Sequence, residues 1–274
     1  MLRDEIADQL VYATVKISCT DGLKRWSGTG FFMLRPYPDK ANVIKLVTNR
    51  HVMEGALSAD IMLTGANKDG TPNNTEHIDV HFDGVQNYCK YHADPQIDIC
   101  TVETQDVFRT VENNGTPVYI KCISTNMIVT KGGLESLTPI EDVVMIGYPN
   151  SISDATNNRP VVRSGITATD LKLNYNGKCE FMIDMACFPG SSGSPVFLRK
   201  NGLEKEKNND GSIALAIKPQ YAFLGILYAG PTITVNGEVI VKNIPTAAIT
   251  MAEIQTMMNL GYVIKAEKVL EMVV

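Results

Sequence analysis

The amino-acid sequence predicts an all-β protein, and three observations lead to that class. About a dozen short runs rich in β-branched, aromatic and aliphatic residues follow one another along the chain. Gly, Pro, Asn or Asp bounds each run, and almost no helical periodicity separates them. This pattern is typical of antiparallel β-barrels or a sandwich, not of βαβ units. The predicted strands lie at residues 12–18, 29–34, 42–48, 59–65, 77–82, 98–103, 117–123, 142–148, 160–169, 179–185, 194–198 and 221–229.

Two segments depart from the strand pattern. Residues 199–211 are polar and charged, so we expect an exposed loop between two strands. In residues 245–274, apolar side chains recur at roughly helical spacing after Pro245, and Gly261 is placed to end that helix. A second short helix is predicted within residues 266–274. We therefore expect a C-terminal helical extension on a β domain.

Composition excludes several classes of protein. The chain has 274 residues, 44% of them apolar and 20% charged, which is ordinary globular usage and excludes disordered or fibrous classes. Its formal net charge of −5 argues against general nucleic-acid binding, which needs a basic face. No run of about 18 apolar residues predicts a membrane span. The N-terminus does not resemble a signal peptide, so we expect a cytoplasmic protein with its six cysteines reduced.

The segment FPGSSGSPVF at residues 188–197 has the features of a nucleophile turn. Gly190 and Gly193 bracket Ser192, where they relieve crowding for an incoming carbonyl and let neighbouring N–H groups form an oxyanion hole. The alternative is a Gly/Ser loop without function. All four histidines precede Ser192 by at least 100 residues, which excludes the Ser–Asp–His order of α/β-hydrolases for this serine.

A base and an acid for Ser192 are suggested by their surroundings. His51 directly follows the strand-like run VIKLVTNR, and a strand end is a rigid support for a catalytic base. Asp98 is the lone charge between Ile97 and Ile99, a costly position for an acid without a partner. Such an acid fixes the tautomer of an imidazole and stabilises the imidazolium.

Three blocks, in this order, resemble the signature blocks of trypsin-like (chymotrypsin-fold) serine proteases, and most of all those of the bacterial HtrA/Deg-like branch. They are Thr48-Asn49-Arg50-His51-Val52, Asp98-Ile99-Cys100 and Gly190-Ser191-Ser192-Gly193-Ser194-Pro195. Weaker supporting blocks lie at residues 28–32, 144–149, 164–166 and 224–226. The resemblance covers roughly residues 12–248.

The resemblance implies a fold and a set of roles. It implies two six-stranded antiparallel β-barrels with the active site in the cleft between them. Residues 1–125 would form the N-terminal barrel with His51 and Asp98, residues 126–246 the C-terminal barrel with Ser192, and residues 247–274 the helical tail. Ser192 would be the nucleophile, His51 the general acid–base and Asp98 its orienting acid, with the N–H groups of Gly190 and Ser192 as the oxyanion hole.

The sequence departs from the trypsin pattern at two positions. In the trypsin branch, an Asp before the nucleophile pairs with an N-terminus released by cleavage, but Ser191 occupies that position here. Activation by N-terminal processing is therefore not expected, and the site is either preformed or ordered by a partner. Ser194 replaces the second Gly of the motif, where its hydroxyl is expected to donate locally. Too few residues follow residue 248 for a PDZ domain, so we expect none.

The resemblance also locates a substrate pocket. Its base would lie near Ala186 and Cys187, and its wall near Tyr228, Ala229 and Gly230. No acid lies at the base, so cleavage after Arg or Lys is not expected. An uncharged pocket of this kind predicts a small or medium apolar side chain before the scissile bond.

Several alternatives compete with these assignments. His77, His81, Cys89 and His92 fall close together, but residues 77–83 alternate as a strand and no Cys-x-x-Cys pair supports zinc, so we predict no metal and no cofactor. Cys187 is expected to be buried and not nucleophilic. The expected partner is a protein or peptide substrate, and the tail is a candidate contact for a regulatory partner or a second copy. The chain is either an active endopeptidase or a catalytically silent or partner-activated relative that binds peptide or protein. The presence of all three triad residues favours the enzyme.

Overall fold

The computed structural model describes residues 5–39, 41–105, 109, 111, 113, 115, 117–207, 213–239 and 250–273. Within these residues, no helix is long and apolar enough to cross a membrane. The helices are α1 (Glu5–Tyr12), α2 (Arg50–Met53), α3 (Lys131–Glu135) and α4 (Ala266–Leu270). The strands are β1 (Thr14–Thr20), β2 (Arg25–Arg35), β3 (Val43–Thr48), β4 (Ser58–Ala66), β5 (Pro72–Asp83), β6 (Cys89–Tyr91), β7 (Cys100–Glu103), β8 (Val118–Tyr119), β9 (Ile123–Ser124), β10 (Asp142–Gly147), β11 (Val161–Thr167), β12 (Glu180–Asp184), β13 (Pro195–Lys207), β14 (Ile213–Ala229), β15 (Thr232–Val239), β16 (Thr250–Met257) and β17 (Leu260–Lys265).

The N-terminal half is one sheet built around β1, β2 and β3. The strand order is β5-β4-β1-β2-β3-β7-β6, with β8 added beside β4 and β9 beside β2, which makes nine strands where six were predicted. Apart from the parallel β2–β9 pair, its neighbouring strands are antiparallel. Side chains in β1 alternate between buried and partly exposed, as expected for a strand with one face toward a core. The β3–β7 pair brings the end of β3 beside the start of β7, where Thr48 is opposite Cys100.

The C-terminal half is a closed barrel of six strands in the order β10-β11-β12-β17-β14-β13. Closure leaves no free edge, because each strand pairs on both sides. The predicted all-β class is confirmed, and the C-terminal half is the predicted six-stranded antiparallel barrel. The predicted domain boundary at residue 125 lies between β9 and β10 and stays a prediction.

A shared hydrophobic core joins the two halves. Phe31 of β2 and Phe223 of β14 are fully buried, with ring centroids 5.5 Å apart. Val269 of α4 and the following Met272 belong to the same buried cluster. Helix α4, which was predicted within residues 266–274, therefore packs into the core between the halves. Contacts of this region with a partner or a second copy stay predictions.

The longer helix predicted after Pro245 is wrong for the residues that the structure describes. Residues 250–257 form β16, which pairs antiparallel with β15, and residues 260–265 form β17 inside the barrel. Gly261 does not end a helix: a Cβ there would lie 2.7 Å from the Cys187 sulfur, so the glycine permits close packing. Strand pairing has overridden a weak helical spacing. Of the predicted tail at 247–274, residues 260–265 are thus a barrel strand, and residues 240–249 lie outside the described part of the chain.

The exposed loop predicted at residues 199–211 is also wrong over most of its length. Strand β13 continues to Lys207 and pairs with β14 in a long antiparallel hairpin, from Arg199 opposite Tyr221 to Lys207 opposite Ile213. A polar, charged composition does not prevent two strands from pairing, because main-chain hydrogen bonds supply the pairing. Residues 208–212, at the predicted loop, lie outside the described residues.

Candidate active site

His51 is presented by a short helix that follows a strand of the N-terminal sheet. Strand β3 ends at Thr48, and α2 begins two residues later, so His51 lies in its first turn. The buried Asn49 between them donates from Nδ2 to the main-chain oxygen of Asp98 at 2.7 Å. That bond ties the segment before His51 to the segment before β7. Sequence reasoning missed this role of Asn49, although the residue belongs to the quoted motif.

His51 and Asp98 contact each other through two hydrogen bonds. The imidazole Nδ1 lies 2.5 Å from Asp98 Oδ2, and the main-chain N–H of His51 donates to Asp98 Oδ1 at 3.0 Å. Both carboxylate oxygens are therefore occupied by one residue, which fixes the position and the plane of the ring. The His51 side chain is 47% exposed, so its other edge remains open to solvent. The structure thus brings together the predicted base and acid.

Ser192 is the partly exposed residue of a buried segment that follows the exposed Phe188 and Pro189. From residue 191 to residue 198, only Ser192 retains partial exposure. Gly193 follows with a φ of +89°, and a Cβ on it would lie 1.8 Å from the Thr29 carbonyl oxygen, so no other residue fits. The Ser192 hydroxyl lies 3.4 Å from the main-chain oxygen of Tyr228. The predicted Gly-flanked turn therefore presents this hydroxyl to solvent.

Two main-chain amides of the same turn have no partner among the residues that the structure describes. The N–H groups of Ser191, Gly193 and Ser194 donate to main-chain oxygens at 2.8–3.0 Å. Those of Gly190 and Ser192 do not. Gly190 has a φ of +82°, and a Cβ on it would lie 2.6 Å from the Tyr148 carbonyl oxygen. The two amides predicted to form an oxyanion hole are thus the two left unpartnered.

Thr29 of β2 connects the nucleophile turn to the N-terminal half. Its N–H donates to the Ser192 carbonyl oxygen at 2.8 Å, and its hydroxyl donates to the Gly190 carbonyl oxygen at 2.9 Å. Its own carbonyl oxygen accepts from the Thr48 hydroxyl at 2.7 Å, at the end of the strand that leads to His51. One buried threonine thereby fixes both sides of the cleft. Thr29 lies in the supporting block at residues 28–32, but nothing in that block indicates this role.

Tyr228 lies beside both the acid and the serine. Its carbonyl oxygen contacts Ser192, while its phenol donates to Glu180 Oε2 at 2.7 Å. Burial, followed by the Glu180 carboxylate, raises the pKa of Tyr228 well above its usual value, and the charge of Asp98 adds to the rise. Tyr228 therefore connects the surroundings of Ser192, through its carbonyl oxygen, with those of Asp98, whose charge acts on its phenol.

The predicted pocket residues come from facing segments. A Cβ on Gly230 would lie 3.8 Å from the Cβ of Cys187, so these two positions oppose each other. Ala229 is exposed, Ala186 is half-buried and Cys187 is buried. The Tyr228 ring points to Glu180 and lines a cavity of about 240 Å³ with Ile97 and Lys178.

Arg163 is a charged neighbour of this pocket that sequence reasoning missed. It is an inward-facing residue of β11, and its guanidinium donates to the Ala186 carbonyl oxygen and to the Ser191 hydroxyl. Burial lowers the pKa of Arg163 from its ordinary value. The only signal in the sequence was a single charge inside the strand-like run PVVRSGITAT.

The hydroxyl of Ser194 does not donate locally as expected. The side chain is fully buried, and Oγ has no hydrogen-bond partner among the described residues. A Cβ on Gly147 would lie 2.0 Å from this Oγ, so Gly147 provides the space for it. The Ser194 side chain therefore fills a volume beside β10, and among the described residues its hydroxyl makes no hydrogen bond to the turn, although its main-chain N–H does.

The remaining histidines have separate partners. His81 Nδ1 lies 2.6 Å from Asp60 Oδ1, His92 Nε2 lies 2.9 Å from Glu271 Oε2, and His77 contacts the Asn74 carbonyl oxygen. Within the described part of the chain, no group of three or more His, Cys, Asp or Glu side chains is arranged to hold a metal ion.

Cys187 is the cysteine nearest in sequence to Ser192, and we expect it to resist alkylation. It is 2% exposed, and burial raises the pKa of its thiol to about 11, although Arg163 opposes the rise. At pH 8, about one thiol in a thousand is then ionised, and the thiolate is the reactive form. Iodoacetamide on the native protein, followed by peptide mass spectrometry, should leave Cys187 unmodified and the activity unchanged.

Cys89 is the internal comparison for that experiment. It is partly exposed, and a hydrogen bond from Cys100 lowers the pKa of its thiol. We expect Cys89 to be alkylated first. Rapid modification of Cys187 would instead contradict its burial and its raised pKa, and a parallel loss of activity would follow from its place in the proposed substrate pocket.

The arrangement can perform nucleophilic acyl transfer. A partly exposed hydroxyl, an imidazole held by a carboxylate, and two unpartnered amides on the nucleophile turn are the components that this chemistry requires. They come from both halves, with Thr29 bonding across the cleft.

Comparison with protein families gives one match: residues 28–203 match the model of the trypsin-like peptidase domain, which covers more than half of the chain. A comparison with curated proteins found no match. Similar solved structures include an HtrA-type protease, AlgW, with a tripeptide (17% identity, TM-score 0.44, 97% of this chain and 60% of that chain). A serine endoprotease from Yersinia pestis gives the same identity and TM-score, with 97% of this chain and 65% of that chain covered.

A third similar structure is the protease of tobacco vein mottling virus, with 10% identity and a TM-score of 0.46 over 97% of this chain and 81% of that chain. The present chain thus spans somewhat less than two thirds of the length of the first two structures.

Proposed function

The chain belongs to the trypsin-like peptidase domain family, and from this premise we propose that it is a serine endopeptidase that acts through Ser192, His51 and Asp98. The observation that carries the proposal is the double contact between His51 and Asp98, 2.5 Å at Nδ1 and 3.0 Å at the main-chain N–H. A carboxylate so placed keeps the proton on Nδ1 and leaves Nε2 free to act as a base.

The proposed reaction has two halves. Ser192 Oγ attacks the scissile carbonyl carbon while His51 Nε2 takes the hydroxyl proton, and the resulting oxyanion is bound by the N–H groups of Gly190 and Ser192. His51 then gives that proton to the leaving amine, which departs as the C–N bond breaks and an acyl ester remains on Ser192. Water, deprotonated by His51, hydrolyses this ester and restores the serine hydroxyl.

In the conformation described, the Ser192 hydroxyl donates to the Tyr228 carbonyl oxygen at 3.4 Å, a long contact for a hydroxyl donor. Rotation about one side-chain bond is enough to release it. Catalytic hydrogen bonds are often long in unliganded enzymes and shorten when substrate binds. The proposal therefore requires that Ser192 turn toward His51 in the substrate complex.

A fluorophosphonate probe tests the proposal directly. Such probes phosphonylate an activated serine, so the wild-type protein should be labelled on Ser192 and the Ser192→Ala variant should not. Ser194→Ala is the matched control, because it removes a neighbouring buried hydroxyl and should leave labelling intact. Folded wild-type protein that is never labelled would favour the silent peptide-binding alternative.

For the first specificity pocket, the residues proposed are Ala186, Cys187, Tyr228, Ala229 and Gly230. Their side chains carry no charge at neutral pH, which supports the proposal that the enzyme accepts a small or medium apolar side chain before the scissile bond. A peptide library cleaved by the protein would report both activity and this preference. The natural substrate, a cytoplasmic location and any partner of the C-terminal region stay proposals.

A further inference from the structure

Arg163 reaches the nucleophile turn from its buried side. Strand β11 alternates, with Val162 and Ser164 exposed and Arg163 facing inward. Its backbone pairs with that of Met145, which is fully buried. The side chain therefore lies within the barrel half and meets the turn at Ser191, which has no exposed surface.

The guanidinium bridges the two ends of the turn. Nη1 donates to the Ala186 carbonyl oxygen, and Nη2 donates to Ser191 Oγ at 2.9 Å. The same Ser191 oxygen lies 3.4 Å from the N–H of Phe188, inside the turn. Because the guanidinium is a rigid planar fork, one side chain sets the separation between Ala186 and Ser191.

No carboxylate neutralises this cation. Among the residues that the structure describes, no Asp or Glu oxygen lies within 4.0 Å of Arg163, and its Nε is buried without a partner. Carbonyl and hydroxyl dipoles of the turn are therefore its main compensation. A turn that moved away would leave this partly buried charge without those partners, which is unfavourable.

This arrangement replaces the ion pair that the trypsin branch makes with a new N-terminus. There an Asp precedes the nucleophile; here Ser191 does, and the cation comes from within the chain. Accepting the proposed function, we infer that Arg163 is a positioning residue that holds the turn from Ala186 to Ser191, and with it the amides of Gly190 and Ser192, in the oxyanion-binding conformation. The sequence left open a preformed site or a site ordered by a partner. An internal cation at the turn corresponds to the preformed site, which needs neither proteolytic processing nor a partner.

The first test is Arg163→Met, which keeps an unbranched apolar stem but removes the guanidinium with its charge and donors. We expect kcat for a peptide substrate to fall about 100-fold or more, the effect of losing one oxyanion-hole donor, while KM changes less than about threefold. The rate of fluorophosphonate labelling should fall with kcat. Activity should be expressed per folded molecule, with circular dichroism and thermal unfolding measured on the same samples.

Two further variants distinguish positioning from a general loss of structure. Arg163→Lys keeps the charge but makes no fork, so its kcat should lie between those of Arg163→Met and wild type. Ser191→Asp offers the guanidinium a carboxylate and should keep kcat within about tenfold of wild type, because arginine and carboxylate pair well. The double variant Arg163→Met/Ser191→Asp should lose at least as much activity as Arg163→Met alone.

Arg159→Met is the matched control. Arg159 is another partly buried arginine, stacked on the Tyr12 ring with its guanidinium carbon 3.7 Å from the ring centroid, and it makes no described contact with the nucleophile turn. Its loss should leave kcat within about twofold of wild type.

The outcomes separate this inference from the proposed function. If the wild-type protein is active and the Arg163→Met variant keeps its kcat within threefold of wild type, the role of Arg163 is overturned. The peptidase assignment then remains intact. If Ser191→Asp and the double variant Arg163→Met/Ser191→Asp are equally active, the role of Arg163 is overturned as well. This comparison holds even where Arg163→Met alone folds poorly. A folded wild-type protein without labelling or cleavage would overturn both.

Discussion

Replacing His51 by Ala should lower kcat/KM for a peptide substrate roughly 10⁵–10⁶-fold, as far as replacing Ser192 by Ala. The reason is that Ser192 has no other described base: its hydroxyl contacts only a main-chain oxygen, which cannot take a proton. Without His51, the serine has to attack as a neutral alcohol. Steady-state hydrolysis of a chromogenic peptide by purified variants measures the loss.

The double variant His51→Ala/Ser192→Ala sharpens this prediction. Because the two residues act in one proton transfer, removing both should cost no more than removing either. A residual rate about 10³–10⁴-fold above that in water should remain, from substrate binding and the amides of Gly190 and Ser192. Losses that added on a logarithmic scale would show that the two residues act independently.

His81→Ala is the control for the loss of an imidazole. His81 also contacts a carboxylate through Nδ1, Asp60 at 2.6 Å, and its side chain is likewise exposed. Its replacement should change kcat less than about twofold. An His51→Ala enzyme close to wild type in activity would show that His51 is not the base.

The residues at the centre of the site were predictable because each left a local signal. Gly190 and Gly193 both have a positive φ and backbone atoms close by, so glycine is required at each position. A required glycine can be recognised in the sequence. Asp98 was visible because an isolated acid among isoleucines is costly without a partner. The strands that support them were visible from their apolar runs and turn residues.

Arg163, by contrast, was not predictable. Its inward orientation follows from the register of β11 against β10, and its partners are a main-chain oxygen and a hydroxyl far along the chain. Neither partner leaves a mark in the sequence. Thr29 was missed for the same reason, since its four hydrogen bonds are all long-range.

The C-terminal segment was misread because its spacing fits two structures. Methionines and isoleucines at intervals of three to five residues suit a helix, yet β16 and β17 find partner strands in β15 and in the barrel. Pairing between distant segments decides such cases, and a short window of sequence contains no record of it.

Replacing Asp98 by Asn is the second prediction with a large effect. The variant preserves shape and one acceptor, so the hydrogen bond from the His51 N–H to the side-chain oxygen should survive. The amide NH₂ then faces Nδ1 and donates to it, which moves the ring proton to Nε2. In that tautomer His51 cannot take a proton from Ser192, and kcat at neutral pH should fall about 10⁴-fold.

The measurement compares kcat, KM and thermal stability of Asp98→Asn with those of Asp60→Asn. Asp60 makes the same type of contact with His81, so its replacement has the same chemical effect on a histidine outside the triad. We expect the Asp60→Asn enzyme to keep kcat within about twofold, and Asp98→Asn to lose kcat with little change in KM or unfolding temperature. If KM rose while kcat was preserved, Asp98 would shape the cleft but would not set the tautomer of His51. Because both carboxylate oxygens of Asp98 are occupied by His51, the tautomer effect is the larger one expected.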